Sequence, residues 1–360
     1  MNIQTIDSAN AVTIEIDPDK FQEIGWVDSN QIEFTFLPLE ELLPFGDIAK
    51  ILFRDEKIFI KPYNMGRIYI YSQEGVPHGI IDHAGAGPGE YLDLSDFDIN
   101  NSKKQIIVSD AGNRKFVTYS YSGDFISEKP VNFSIKLLKS YPTDNGIQYI
   151  VDLRYSNILP GQNKVFNINL FDENWEFIKG YFPFSQFRGG MLGHPYMFFS
   201  KTDTCIGYYK TFTDSIFHFN NNEMSLAYYL KFPKPVYSYE EFEKSQGVEI
   251  GDRVYNIIYD ESPSYLLLGY MYKNKIYKLL YDKVGQKVQY FTSYTKNEYC
   301  SQSIFSYILG LHGSKLVLQC NALNVDCVID IFQKTLSNEQ LAALNKIQEV
   351  DNNFLILVQL

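Results

Sequence analysis

Three glycines stand at the alternate positions 85, 87 and 89 of the segment GAGPGEY (85–91). Such spacing lets the backbone reach φ values that other residues resist, and Pro88 fixes one φ. A loop of this kind can turn amide N–H groups toward an anion. It lacks the Lys-Ser/Thr of a phosphate loop, however, and Glu90 sets a negative charge inside it. The competing reading is a tight crossover whose Glu90 and Tyr91 tie neighbouring structural units together. A second polar group, Asp110, Asn113 and Arg114, follows. Asp and Asn side chains bond nearby amides in turns, and Arg can brace an adjacent segment. The alternative use of Asp110 and Arg114 is direct contact with a ligand.

The histidines are His78, His83, His194, His218 and His312. No two stand at a metal-ligand spacing on one element, since His78 and His83 flank a Gly-rich turn. Ligands drawn from separate segments would not show in linear spacing. His194 (GGMLGHPYMFF) and His312 (ILGLHGSKL) are therefore ligand-face candidates, and a divalent metal is the one cofactor the sequence leaves open. No G-x-S-x-G supports a Ser-His-Asp arrangement. Of Cys205, Cys300, Cys320 and Cys327, none forms a CxxC pair. The Cys320–Cys327 spacing fits a hairpin disulfide, although buried reduced thiols are the commoner state for such cysteines.

The elements that position these residues come from a pattern written twice. IFIKPYNMGRIYIYSQEG (58–75) aligns without a gap on IIVSDAGNRKFVTYSYSG (106–123) at an offset of 48. Ile60 falls on Val108, Ile68 on Phe116, Tyr71 on Tyr119 and Gly75 on Gly123. A unit of roughly 40–50 residues built of strands is the signature of a propeller blade. An aromatic closing a strand before a polar turn recurs at Tyr71, Tyr119, Phe171, Phe219, Tyr281 and Phe332. This rhythm predicts an all-β, six-bladed β-propeller over 31–360 with a short helix near the C-terminus. Residues 1–30 are expected to form a partly ordered extension, and 238–253 an insertion that includes a weak helix. QIEFTFLPLEE (31–41) and NNFLILVQL (352–360) read as strands for a shared closing blade, which removes two open sheet edges. Between them, Ser337 with Gln340 gives a capping box, and Leu341, Leu344 and Ile347 recur at helical spacing.

Aromatics make up 16% of the chain, which suits the half-buried faces of packed sheets. Tyr and Phe near turns in 197–212 and 231–242 are either anchors for a glycan, small molecule or protein, or packing between blades. A formal charge of −11 argues against nucleic acid as a partner. No apolar run is long enough to span a membrane. MNIQTIDSANAVTIEID lacks a charged region followed by an apolar core, so no signal peptide stands in the sequence as given.

VSDAGNRKFVTYSYSGDFI (108–126) resembles an NHL-type repeat. HAGAGPGEYLDLSDFDI (83–99), with its GxGPGEY loop, resembles six-bladed β-propeller proteins common in Bacteroidetes, many of them secreted or lipid-anchored. That resemblance implies an extracytoplasmic location, periplasmic or as an outer-membrane lipoprotein, with a lipid anchor in the precursor. It carries over no functional residues and no assigned activity. Two functions follow as expectations. One is a non-enzymatic binding or scaffold propeller of the cell envelope. The other is a metal-dependent lyase or hydrolase with its site at the mouth of the central channel.

Overall fold

The computed structural model describes residues 8–18, 34–37, 45–133, 137–143, 146–153, 165–184, 199–202, 205–220, 223–238, 240–241, 244, 252–273, 275–294, 308–320, 322–332, 336–347 and 353–360. Six sheets make it an all-β chain, the blades of a six-bladed β-propeller. Contacts divide it into a central unit, Leu39–Tyr196, and a terminal unit, Met1–Pro38 with Met197–Leu360.

The central unit holds the first three blades, each a four-stranded antiparallel meander. Blade one runs through Ile48–Arg54, Lys57–Pro62, Ile68–Ser72 and Pro77–Ile81, and blade two through Leu94–Asn100, Gln105–Asp110, Lys115–Ser120 and Phe125–Pro130. Blade three comprises Leu137–Thr143, Gly146–Asp152, Val165–Phe171 and Phe177–Phe184. The middle strands are buried on both faces, as continuous runs such as Ile58-Phe59-Ile60 and Ile106-Ile107-Val108 require. Phe59, Ile68 and Ile70 of blade one pack with Phe97, Ile106 and Val108 of blade two in one core cluster. The aligned glycines have the same turn geometry: Gly75 has φ 86° and Gly123 φ 89°.

In the terminal unit, blade four runs through Phe199–Lys201, Ile206–Tyr209, Ser215–Asn220 and Glu223–Lys231, and Val12–Glu15 adds a fifth strand, parallel to Glu223–Lys231. Blade five comprises Tyr255–Glu261, Tyr265–Tyr272, Lys275–Asp282 and Lys287–Tyr294. Blade six is assembled from both ends of the chain in the order Phe34–Leu37, Phe354–Gln359, Lys315–Cys320, Ile308–His312. The helix Asn338–Leu344 starts at Ser337, which forms the reciprocal capping box with Gln340.

One expectation is corrected and one open alternative is decided. Phe332 closes a helix, Val325–Phe332, rather than a strand. Val328 and Phe332 stand four apart and pack with Leu344, Leu318 and Ile356, so a short apolar run was satisfied by a helix on the core of the sixth blade. The third strand of that blade is Phe354–Gln359 instead. The Cys320–Cys327 hairpin bridge does not form either: Cys320 is a buried free thiol, whereas Cys327 is disulfide-bonded. Residues 322–332 after Cys320 are helical, so no hairpin lays the two sulfurs side by side.

Candidate functional site

The GAGPGEY loop connects the first two blades, and its amides do face carboxylates, but the carboxylates are the protein's own. Gly87 N donates to Glu90 Oε2 at 2.8 Å and Gly89 N to Glu128 Oε2 at 3.0 Å. Lys115 Nζ meets the same Glu128 oxygen at 2.8 Å and reaches Gly87 O at 3.0 Å. The Lys115 and Gly89 hydrogen bonds hold the Glu128 carboxyl below its usual range. Tyr91, buried in the inter-blade core, donates to Gly66 O at 2.6 Å, and Tyr119 OH donates to Gly89 O at 2.7 Å. Tyr91 thus ties the crossover to blade one, whereas Glu90 closes the loop on itself. Gly89 has φ 73°, and a Cβ there would come within 2.8 Å of Phe125 Cγ.

Asp110 is buried and accepts four backbone amides. Its Oδ1 takes Asp93 N (3.0 Å), Gly112 N (3.0 Å) and Asn113 N (3.1 Å), and its Oδ2 takes Leu92 N (3.2 Å). Asn113 Nδ2 bonds Gly85 O at 3.3 Å, so this turn and the glycine loop form one framework. Arg114 is exposed in the same turn, at φ 52°. Fixed by that framework, Leu92 is 61% exposed, and Phe125, which packs over Gly89, is 46% exposed. His312 is half-buried at the end of Ile308–His312 in the terminal unit, paired with Lys315. His194 lies outside the described residues. Among the described residues, no group of three His, Cys, Asp or Glu side chains is arranged to hold a metal ion.

The terminal unit carries a cluster that the sequence reading missed. Glu261, at the end of Tyr255–Glu261, is 1% exposed at its side chain and receives four donors. These are His218 Nε2 at 2.8 Å, Tyr228 OH at 2.9 Å, Lys283 Nζ at 2.6 Å and the Tyr259 hydroxyl. Lys283 Nζ also reaches Ser262 O at 2.6 Å, and Ser200 Oγ brackets Glu261, donating to its carbonyl at 2.9 Å and accepting its amide at 3.0 Å. Burial works to raise the Glu261 carboxyl, but the bonds and charges of His218 and Lys283 outweigh it and hold the group at about 2. Burial works to lower His218, yet its bonds to Cys205 and Glu261 lift it to about 9. Gly207, opposite His218 across the strand pair, makes room for this: a Cβ there would collide with the Tyr259 hydroxyl and lie 3.1 Å from Glu261 Oε2. No local motif marks these residues, because they are scattered over positions 200–283. A lone glycine in the strand IGYY and a histidine amid SIFHFN were the available signals.

The family model described as "Domain of unknown function (DUF4934)" matches residues 40–359. Among solved structures, a Bacteroides fragilis protein assigned as exported matches with TM-score 0.79 and 18% identity, covering 97% of this chain and 99% of that one. A member of the DUF4221 family from Bacteroides vulgatus matches with TM-score 0.54 and 12% identity, covering 92% and 98%. At these identities the likeness is one of fold. No curated protein matches the chain.

Proposed function

The chain belongs to the DUF4934 family, and from that premise we propose that it is a non-enzymatic binding propeller of the cell envelope with a protein partner. The observation that carries this reading is Leu92. Its amide is clamped by Asp110 and the neighbouring Tyr91 is fully buried, yet its side chain is 61% exposed. A group of exposed apolar side chains marks a protein contact site where the side chains form one patch, and Leu92 is held in place to contribute to one. Phe125, 46% exposed beside Gly89 of the glycine loop, is a second exposed apolar group held by the same framework, and Arg114 is exposed in the adjoining turn. An extracytoplasmic location is supported by the exported Bacteroides neighbour and by the disulfide at Cys327, because such bonds persist in oxidising compartments.

The test is a photo-reactive amino acid at position 92 in the native host, with an exposed site on another blade, Val284, as comparison. A discrete adduct at 92, lost in a Phe125→Ser background, is the expected result. A folded protein that crosslinks equally from both positions, or from neither, sinks the proposal.

A further inference from the structure

Val12–Glu15 runs parallel to the last strand of blade four, Glu223–Lys231, in the register Val12↔Tyr228, Thr13↔Tyr229, Ile14↔Leu230 and Glu15↔Lys231. Among the described residues the other five blades are complete with four strands each, so this fifth strand is an addition to a finished sheet. The edge that receives it is open by composition. The last strands of blades one, two and three each contain a proline, Pro77, Pro130 and Pro183, and a proline on an edge offers no N–H to a further strand. Glu223–Lys231 has none over its nine residues. Within 12–16 the buried side chains are Ile14 and Ile16, each 1% exposed, whereas Val12, Thr13 and Glu15 are exposed. Ile16 N donates to Lys231 O at 2.9 Å, and Lys231 Nζ meets Glu15 Oε1 at 2.7 Å. That ion pair is open to solvent and adds little strength.

We propose that the edge of blade four is a strand-addition site for an extended segment of a partner protein, with the chain's own N-terminal strand as its resident occupant. The resident strand defines the chemistry of that partner: aliphatic residues at alternate positions, as in Ile14-Glu15-Ile16, with an acidic residue between them to meet Lys231. The backbone of Tyr228–Lys231 supplies the ladder and hence affinity, while the positions taken by Ile14 and Ile16 select the side chains. Parallel pairing is slightly weaker per residue than antiparallel, and four residues of it make a short ladder. The hold of the resident strand therefore rests largely on its tether, which gives it an effective concentration on the order of millimolar. A partner strand must displace it, and the tether sets how far that competition disfavours a free peptide.

The experiment follows the fluorescence anisotropy of a labelled peptide of residues 10–18, NAVTIEIDP, with the full chain and with its Ile14→Asp variant. That substitution weakens the resident strand and leaves blade four's own residues intact. The variant is expected to bind the peptide at least about tenfold more tightly than the parent chain, because its tethered competitor is weakened. A peptide carrying the same Ile14→Asp change should bind neither. Hydrogen exchange on the unmodified chain reads the release directly, and it decides the matter even if the variant fails to fold. Amides of Val12–Ile16 should exchange at least about tenfold faster than those of Ser215–Asn220 in the same blade. Equal peptide binding by variant and parent, no binding by a folded variant, or equal exchange in the two strands overturns the proposal. Light scattering that finds the parent chain dimeric and Ile14→Asp monomeric would assign the edge to a second copy and overturn it as well.

Discussion

Trp175 occupies in blade three the place that Gly123 occupies in blade two. Gly123 N donates to Ser120 O at 3.0 Å while Ser120 N donates to Asp124 O; Trp175 N donates to Asp172 O at 3.1 Å while Asp172 N donates to Glu176 O. Both have left-handed backbone, with φ 89° at Gly123 and 63° at Trp175. A tryptophan is tolerated there because its ring stacks on Phe116 of blade two and on Tyr149 of its own blade.

Two substitutions separate the backbone from the ring. Gly123→Val forces a β-branched residue into that φ and should cost about 1–3 kcal/mol. Trp175→Gly relieves the backbone but removes the stack between blades, so it should also destabilise, by roughly 1–3 kcal/mol. Urea titrations read both. Unchanged or increased stability in Trp175→Gly would show that the turn, not the stack, limits this blade junction.

A second junction rests on charge. Asp96, 1% exposed, accepts Lys50 Nζ at 2.6 Å on one oxygen and the Leu138 amide of blade three at 2.8 Å on the other. Asp260 repeats the second contact in the terminal unit, taking Leu311 N at 2.7 Å. Removing one partner of a buried pair leaves the other charge without compensation, so Asp96→Ala should cost about 3–5 kcal/mol. The double variant Asp96→Ala with Lys50→Met should recover part of it. No recovery in a denaturation series would place the cost in the Leu138 amide alone.

The blades were legible because their pattern is local. Tyr71, Tyr119, Phe171, Phe219 and Tyr281 each lie in the third strand of a blade, where alternation and the following turn recur within one segment. The Ser337–Gln340 capping box was legible for the same reason. Phe332 was misread because a run of apolar residues fits a strand or a short buried helix equally well. Val12–Glu15 was read as part of an extension, since a parallel pairing with Glu223–Lys231 leaves no trace in its own four residues. The Glu261 cluster was invisible for a different reason. Its partners at 218, 228 and 283 meet only once two blades are packed, and Gly207 matters through what it omits. Asp110 was read both as turn chemistry and as a ligand contact, and four backbone amides engage its carboxylate.

Burial sets the direction of the Lys278 titration. This lysine is 4% exposed in Lys275–Asp282, and burial pulls its pKa from 10.5 to about 7. A lysine with a lowered folded pKa costs stability most below that pKa, and the cost fades as pH rises to the unfolded value. Lys278→Met should therefore raise stability most below pH 7, with the gain shrinking toward pH 10.5. Melting temperatures of both proteins across that range check it, and a gain independent of pH would show that packing, not charge, is responsible.

Glu261 gives the opposite sign. Its carboxyl is depressed from 4.5 to about 2, so its contribution is fully present above pH 4.5 and is lost as pH falls through 2. Over that window His218, lifted to about 9, is protonated in the folded state and, with an ordinary value of 6.5, in the unfolded state as well, so it does not confound the comparison. The shift corresponds to roughly 3 kcal/mol that only the ionised carboxylate supplies. Glu261→Gln keeps the shape and removes the charge, leaving His218 and Lys283 facing an amide. Urea denaturation at pH 6 should show the variant well below the parent protein, and the gap should narrow steadily from pH 4.5 toward pH 2. A gap of constant size over that range would mean that Glu261 acts through its hydrogen-bond geometry alone, and the ion-paired description of the cluster would fall.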